Sequence, residues 1–225
     1  NFSLLRGVLS TLTSLFTTLG VKYLDITEAL IIAQTKPILN FALNRFVFGD
    51  PITANQVISL ILCLIGMVFV IQPPFIFGAG EYMLVGDKIK GFIYRLISVV
   101  WNSLADITLK KLGGKMDTLF VIHFMGMVNA VFFGVGYAVF DFPKPQSLPC
   151  YISLFFVGLF SWAVHYFYSK AYQMGNMNVV SIFEYTAVLM SFFVDYFLYN
   201  RSYNWYCYFG VAIVLAALCL SVSKK

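Results

Sequence analysis

A lysine in the middle of an apolar run is the first residue here that could do chemistry. The run from Thr27 to Phe48, TEALIIAQTKPILNFALNRFVF, has the length of a membrane span and carries Lys36 at its centre. A lysine near the bilayer midplane costs about 2.5 to 3.5 kcal/mol on insertion scales, so it needs a partner, a water-filled cavity or a function. Asn40 and Asn44 follow at steps of four, on the same helical face. The stripe is expected either to hydrogen-bond neighbouring helices or to line a solvated cavity that handles a solute.

Pro37 follows this lysine directly. Proline has no N–H to donate to the carbonyl oxygen of Ala33, and its ring crowds the preceding turn. The sequence therefore predicts a kink or break at the centre of this span, which a membrane helix tolerates when neighbours satisfy the freed backbone groups.

A second polar face is predicted in the run 89–110. Arg95, Asn102, Asp106 and Lys110 follow one another at steps of seven, four and four. Asp106 and Lys110 are an i,i+4 pair near one end of the run, so a surface ion pair is expected. Arg95 lies deeper and either extends outward to the interface or binds an anionic group of a solute.

Glu184 places a carboxylate inside another apolar run, 177–198. An intramembrane carboxylate can relay protons, balance a bound cation or neutralise Lys36. His123 and His165 are expected to be hydrogen-bonded packing residues rather than proton relays. The residues expected to face a solute cavity are Lys36, Asn40, Asn44, Arg95, Asn102, Glu184 and Tyr185.

The composition indicates which class of protein holds these residues in place. Hydrophobic residues make up 60% of the chain and charged residues 11%, which indicates a polytopic membrane protein embedded in a lipid bilayer. The net charge of +5 is spread between apolar runs, so no nucleic-acid partner is expected. The four cysteines have no metal-binding spacing, and no hydrolase, nucleotide-binding or metalloprotease motif occurs. We expect no enzyme activity, no metal and no cofactor.

Eight apolar runs are long enough to cross a membrane, and none alternates as a strand would. The chain is therefore predicted to be an all-α, polytopic transmembrane helical bundle. The predicted spans are 5–21, 27–47, 53–73, 89–110, 117–140, 150–171, 177–198 and 204–222.

Lysines and arginines at the span ends predict the orientation. One side of the membrane collects eight of them and the other collects five, so both termini are expected in the cytoplasm of a plasma membrane or endomembrane protein. The eight are Arg6, Arg45, Lys110, Lys111, Lys115, Lys170, Lys224 and Lys225; the five are Lys22, Lys88, Lys90, Lys144 and Arg201.

A strip of small side chains runs along the span 117–140. Gly126, Ala130, Gly134 and Ala138 recur at every fourth position. Such strips let helix backbones approach closely, so this span is expected to pack tightly along the strip, within the bundle or against a second copy of the chain in a homodimer.

The spans also repeat. A shift of 150 residues superposes 27–47 and 53–73 on 177–198 and 204–222, and sets Gln34 on Glu184. A repeat unit of five helices is odd, so two units must have opposite orientations, as in transporters built from inverted repeats. The expected organisation is residues 1–75 as the last three helices of a first unit without its first two, a linker 76–88, and residues 89–225 as a complete second unit.

At these residues the chain resembles the EamA modules of the drug/metabolite transporter superfamily, and is most similar to transporters of the solute carrier family 35 member G type. The resemblance rests on the arginine that opens the run LLRGVLSTL, on the small and apolar residues of ALIIAQTKPILNFALNRFVFGDPIT, and on an apolar helix that ends in QPPF. The segment SKAYQMGNMNVVSIFEYTAVLMSFFVDYFLYN, with GVAIVLAALCL after it, is similar to the same helices of a second module. The pattern departs at Asp50, where glutamate is usual.

The resemblance implies a secondary transporter that moves a small organic metabolite by alternating access. Two inverted halves would rock about a central cavity near the membrane midplane. The alternative hypothesis is a non-transporting membrane scaffold or partner subunit built from a degenerate module, in which the buried charges compensate one another and the cavity is dry.

Overall fold

The computed structural model describes residues 2–24, 26–71, 86–139, 147–198 and 204–222, and these residues form ten helical segments. No strand occurs in these ranges, which confirms the predicted all-α bundle. The segments are α1 (Phe2–Val21), α2 (Ile26–Ala33), α3 (Lys36–Phe48), α4 (Ala54–Ile71), α5 (Gly86–Leu112), α6 (Thr118–Val139), α7 (Leu148–Met174), α8 (Met177–Phe183), α9 (Thr186–Leu198) and α10 (Trp205–Val222).

Seven stretches of the described chain are helical, long and apolar enough to cross a membrane. The one remaining predicted span, 27–47, corresponds to α2 and α3, which have 8 and 13 residues and are separated by a break. Most of the predicted linker 76–88 lies outside the described residues.

The first break lies beside the proline that predicts it. The main-chain N–H of Thr35 donates to the carbonyl oxygen of Ile32, 3.1 Å away, and its hydroxyl donates to the same oxygen at 2.6 Å. The helix thus tightens into a three-residue turn and restarts at Lys36, with Pro37 at a position where its missing N–H costs nothing. The predicted kink is confirmed.

A second break, which the sequence pattern does not predict, divides the span 177–198 between α8 and α9. The main-chain N–H of Glu184 donates to the carbonyl oxygen of Ser181 at 3.3 Å, and that of Tyr185 donates to the carbonyl oxygen of Ile182 at 3.1 Å. Both bonds reach three residues back instead of four. No proline lies there, so the expectation of one continuous helix is wrong at this point. The two breaks, at 34–35 and 184–185, have the same spacing of 150 residues as the internal repeat.

The helices pack as two groups, and the two broken spans, α2–α3 and α8–α9, lie between these groups. α1 packs against α5 and α6, α4 packs against α10, and α3 lies between α5 and α8. α4 and α10 approach closely at Gly66 and Gly210, where a Cβ built on Gly210 would lie 2.7 Å from the carbonyl oxygen of Gly66. Helix backbones this close require glycine at the contact.

The strip of small residues on α6 makes no such contact with the described part of the chain. Gly126, Ala130 and Gly134 are exposed, and a Cβ at either glycine would meet no described atom within 4 Å. The side chain of Ala138 lies outside the described set. The expectation of tight packing within the bundle is therefore wrong, because α6 turns this face outward. Packing of the strip against a second copy stays a prediction.

Candidate functional site

Lys36 lies at the centre of a buried ionic cluster. Its Nζ atom is 2.7 Å from Oε2 of Glu184 and 3.0 Å from Oδ2 of Asp106. The lysine begins α3, the glutamate lies at the break between α8 and α9, and the aspartate lies on α5. One ammonium group is thus shared by two carboxylates, and of the three roles open to Glu184 this contact agrees with the neutralisation of Lys36.

Two tyrosines of α7 complete the shell around this lysine. The ammonium group donates to the Tyr168 hydroxyl at 2.6 Å, and that hydroxyl donates to Oδ1 of Asp106 at 2.8 Å. The Tyr172 hydroxyl donates to Oε1 of Glu184. The ammonium also lies 5.1 Å from the ring centroid of Tyr168 and 5.9 Å from that of Tyr172, close enough for cation–π attraction.

Asn40, one turn after the lysine, joins the same network. Its amide nitrogen lies 3.1 Å from Oδ2 of Asp106 and 3.0 Å from both the Tyr172 hydroxyl and Oγ of Ser181. Its amide oxygen is buried without a hydrogen-bond partner among the described residues. A buried amide oxygen usually has a donor, so this atom is available to one.

Tyr185 connects the two breaks. Its hydroxyl donates to the main-chain carbonyl oxygen of Gln34, 2.9 Å away, and its side chain is fully buried. The interruption of α2 and α3 frees carbonyl oxygens there, and this phenol satisfies one of them. The structure therefore places Tyr185 as a brace behind the cluster.

Two cavities meet at the cluster. The polar cavity, of about 330 Å³, is lined mostly by polar side chains of α1, α5, α6 and α7, and the apolar cavity, of about 750 Å³, mostly by aromatic and aliphatic side chains of α7, α8 and α9. Lys36, Asn102, Val164 and Tyr168 line both. The remaining lining of the polar cavity is Arg6, Ser10, Thr13, Ser14, Asn129 and His165; that of the apolar cavity includes Gln34, Phe160, Phe167, Phe183, Glu184 and Met190.

Asp106 and Lys110 do not pair, which corrects the expected surface ion pair. Asp106 is fully buried against Lys36, whereas Lys110 forms an ion pair with Asp50 in the turn after α3. Lys110 also donates to Oδ1 of Asn44 at 2.7 Å. Neighbouring helices offer both side chains better partners than an exposed pair on one helix, which is worth only a few tenths of a kcal/mol.

The structure places Asn44 in a second polar network, away from the lining of the two cavities. Its amide nitrogen donates to Oδ1 of Asn178 at 2.9 Å, and the amide of Asn178 donates to Oε1 of Gln56 at 3.3 Å. Gln56 also completes a reciprocal cap with Thr53 at the start of α4. This network ties α3, α4 and α8 together.

Arg95 is likewise held by the protein itself. Its Nε donates to the carbonyl oxygen of Ala29 at 2.9 Å and one terminal nitrogen donates to the Thr17 hydroxyl at 2.7 Å. These contacts join α5 to α1 and α2. Contacts between helices are thus a third role for Arg95, beside the two expected from the sequence.

Four central residues of the site are missing from the sequence-based set: Asp106, Tyr168, Tyr172 and Arg6. Tyr168 and Tyr172 are spaced by four on α7 and so share a face, a signal that the many other aromatic residues conceal. Arg6 resembles a topogenic charge near a span end, yet it is buried. His165 lines the polar cavity, while Nδ1 of His123 lies 2.7 Å from its own helix's Leu119 carbonyl oxygen, as in a packing residue.

Comparison with proteins of known name gives low identities over nearly the whole chain. Human solute carrier family 35 member G1 is 22% identical, over 96% of this chain and 60% of its own length. An uncharacterized membrane protein of Saccharomyces cerevisiae is 21% identical over 88% of this chain and 51% of its own length. The chain thus spans a little over half the length of these two relatives. The pseudopaline exporter CntI of Pseudomonas aeruginosa is 21% identical, over 99% of this chain and 75% of its own length.

Two further comparisons, one of structure and one with protein families, give the fold and the family of the chain. A protein of known crystal structure superposes with a TM-score of 0.82 at 15% identity, over 96% of this chain and 74% of the other, which shows a shared fold. The EamA-like transporter family matches residues 2–72 and 89–223. The segments carrying the interrupted helices and the shared lysine cluster both fall within this match, and the chain belongs to the EamA-like transporter family.

Proposed function

We propose that this chain carries the solute site of a secondary transporter, which moves a small organic metabolite across a membrane by alternating access. Residues 1–75 and 89–225 would act as the two inverted halves, joined by the linker 76–88. The observation that carries the proposal is the position of Lys36, which is bound by two carboxylates where two interrupted helices and two cavities meet.

The interrupted helices support this function because irregular backbone at membrane depth is tolerated only inside protein or beside a cavity. Transporters use such breaks to place polar groups at the midplane, between halves that rock. Here Lys36 from one break and Glu184 from the other are in direct contact. A movement of one half against the other would change this contact, so the ion pair would differ between the outward-open and inward-open states.

The proposed site residues divide into two groups by what they contact. Lys36, Asn102 and Glu184 line the cavities and would meet the solute. The others would hold these residues in place: Asn40 through the cluster, Asn44 and Arg95 through contacts between helices, and Tyr185 through the break.

One observation favours the scaffold alternative. Lys36 already has two carboxylate partners and a hydroxyl, so its charge is compensated without any solute. A scaffold would need no more than this. The position of Lys36 in the lining of both cavities favours the transporter, because a solute that enters either cavity would meet this residue.

The test is uptake by the full-length protein reconstituted in lipid vesicles, screened against a mixture of metabolites by mass spectrometry. We expect time-dependent uptake of at least one solute, its loss in Lys36→Met, and its retention in Lys170→Met, which removes an exposed lysine of α7. Folded, reconstituted protein that moves no solute of the mixture would favour the scaffold.

A further inference from the structure

The clearest unexplained group near the site is Arg6. Only 4% of this residue is exposed, and its Nε is buried with no hydrogen-bond partner in the described part of the chain. No carboxylate of that part lies within ion-pair distance of it. Burial of an unpaired guanidinium is costly in free energy. The N–H groups of Arg6 can therefore gain from a partner that the described part of the protein does not supply.

The surroundings of Arg6 are mostly polar. The residue lines the polar cavity of about 330 Å³, whose wall also carries the hydroxyls of Ser10, Thr13 and Ser14, the amide of Asn129, and His165. The hydroxyls of Ser10 and Ser14 can donate hydrogen bonds into this cavity, whereas the Thr13 hydroxyl already donates to the carbonyl oxygen of Leu9. No carboxylate is among the described residues that line the cavity. Asp106 attracts Arg6 from a distance but is itself held by Lys36, Asn40 and Tyr168.

We infer that the polar cavity binds an anionic group of the transported solute, a carboxylate or a phosphate, with Arg6 as its counter-charge. The planar guanidinium can donate two parallel hydrogen bonds to either group. Lys36 lines the same cavity but is shared between Asp106 and Glu184, which leaves Arg6 as the uncommitted cation. This inference rests on the proposed transport function and narrows it to organic anions.

The position of Arg95 provides a matched control. Both arginines are partly or fully buried in the helix bundle, but Arg95 donates to Ala29 and Thr17, so its loss breaks contacts within the protein. Removal of Arg6 breaks no described hydrogen bond and removes a desolvated charge. The two substitutions should therefore have opposite effects on stability and on anion binding.

The first experiment measures thermal unfolding of the full-length protein in detergent, with and without citrate, inorganic phosphate and the uncharged solutes succinamide and glucose. We expect at least one anion, and neither uncharged solute, to raise the melting temperature of the wild type. Arg6→Met should melt no lower than the wild type and lose the anion response. Arg95→Met should melt lower and keep it. The inference would be overturned if no anion raises the melting temperature of the wild type, or if the anion response survives in Arg6→Met. It would also be overturned if the melting temperature of Arg6→Met falls as far as that of Arg95→Met.

The second experiment measures uptake into vesicles from a mixture of carboxylates, sugar phosphates, their uncharged analogues and amines. Uptake should be confined to the anions, and Arg6→Gln should lower it by about tenfold or more, because a charge-assisted contact is lost. Arg6→Lys should retain part of it. Transport of uncharged or cationic members that Arg6→Gln leaves unchanged would refute the inference but leave transport itself established. Absence of all uptake together with an anion-induced rise in melting temperature would instead contradict the transport function and support the anion site.

Discussion

Tyr185 donates a hydrogen bond from its hydroxyl to the main-chain carbonyl oxygen of Gln34, 2.9 Å away, and so joins the two interrupted helices at their breaks. Lys36 and Glu184 form a second link between the same two breaks, over 2.7 Å. The breaks are therefore not independent defects of two helices. Tyr185 at the second break satisfies a carbonyl oxygen at the first, and Lys36 at the first break neutralises Glu184 at the second.

Replacement of Tyr185 by Phe should destabilise the protein by about 1 to 3 kcal/mol, because the carbonyl oxygen of Gln34 loses its donor while the ring still fills its place. Thermal unfolding in detergent measures the change. Tyr151→Phe, at an exposed tyrosine of α7, is the matched control and should leave the melting temperature unaltered. Equal melting temperatures for both variants would show that the brace contributes nothing.

Lys36→Met should be the most damaging single substitution in the cluster, with a cost of about 3 to 5 kcal/mol, because it leaves Asp106 and Glu184 buried without their shared cation. Glu184→Gln should be milder, since Lys36 keeps Asp106. The double variant should be less damaging than the two single effects added together. A double-mutant cycle, measured as folded yield and as unfolding free energy, checks this. Strictly additive losses would mean that the two residues stabilise the protein separately.

Gly66→Leu should lower folded yield and melting temperature by forcing α4 and α10 apart, since a Cβ at Gly66 would lie 2.9 Å from the carbonyl oxygen of Gly210. The expected cost is at least about 1 to 3 kcal/mol. Gly134→Leu, on the outward face of α6, is the control and should leave the stability of the single chain unchanged. If Gly134→Leu alters the oligomeric state in detergent, the strip of small residues contacts a second copy, as the sequence predicts.

Both termini are expected to be cytoplasmic, from the bias of eight lysines and arginines against five. Cysteines introduced one at a time at positions 76–84, in a background without the exposed Cys150 and Cys219, should react with an impermeant reagent added outside intact cells. A cysteine added after Lys225 should react only when the membrane is opened. The reverse pattern of labelling would invert the topology.

The sequence by itself determined the class of the fold and predicted the positions of the central charges along the spans. Apolar runs of membrane length predict the spans, because backbone groups in lipid must be satisfied within a helix. Pro37 predicts the first break, since a missing N–H is a local property of the chain. The repeat of 150 residues predicts that Lys36 and Glu184 lie at similar depth, because it sets them on corresponding helices.

The tertiary structure alone decided which groups meet. Helical periodicity gives the face on which Asp106 lies but not the helix opposite that face, so its pairing with Lys36 rather than Lys110 appears only after packing. The second break has no proline, and Arg6 resembles a topogenic charge, so neither this break nor the burial of Arg6 leaves a local sequence signal. Small residues likewise permit close packing without requiring it. Gly66 and Gly210 make such a contact and Gly134 does not, because the choice depends on which faces the other helices cover.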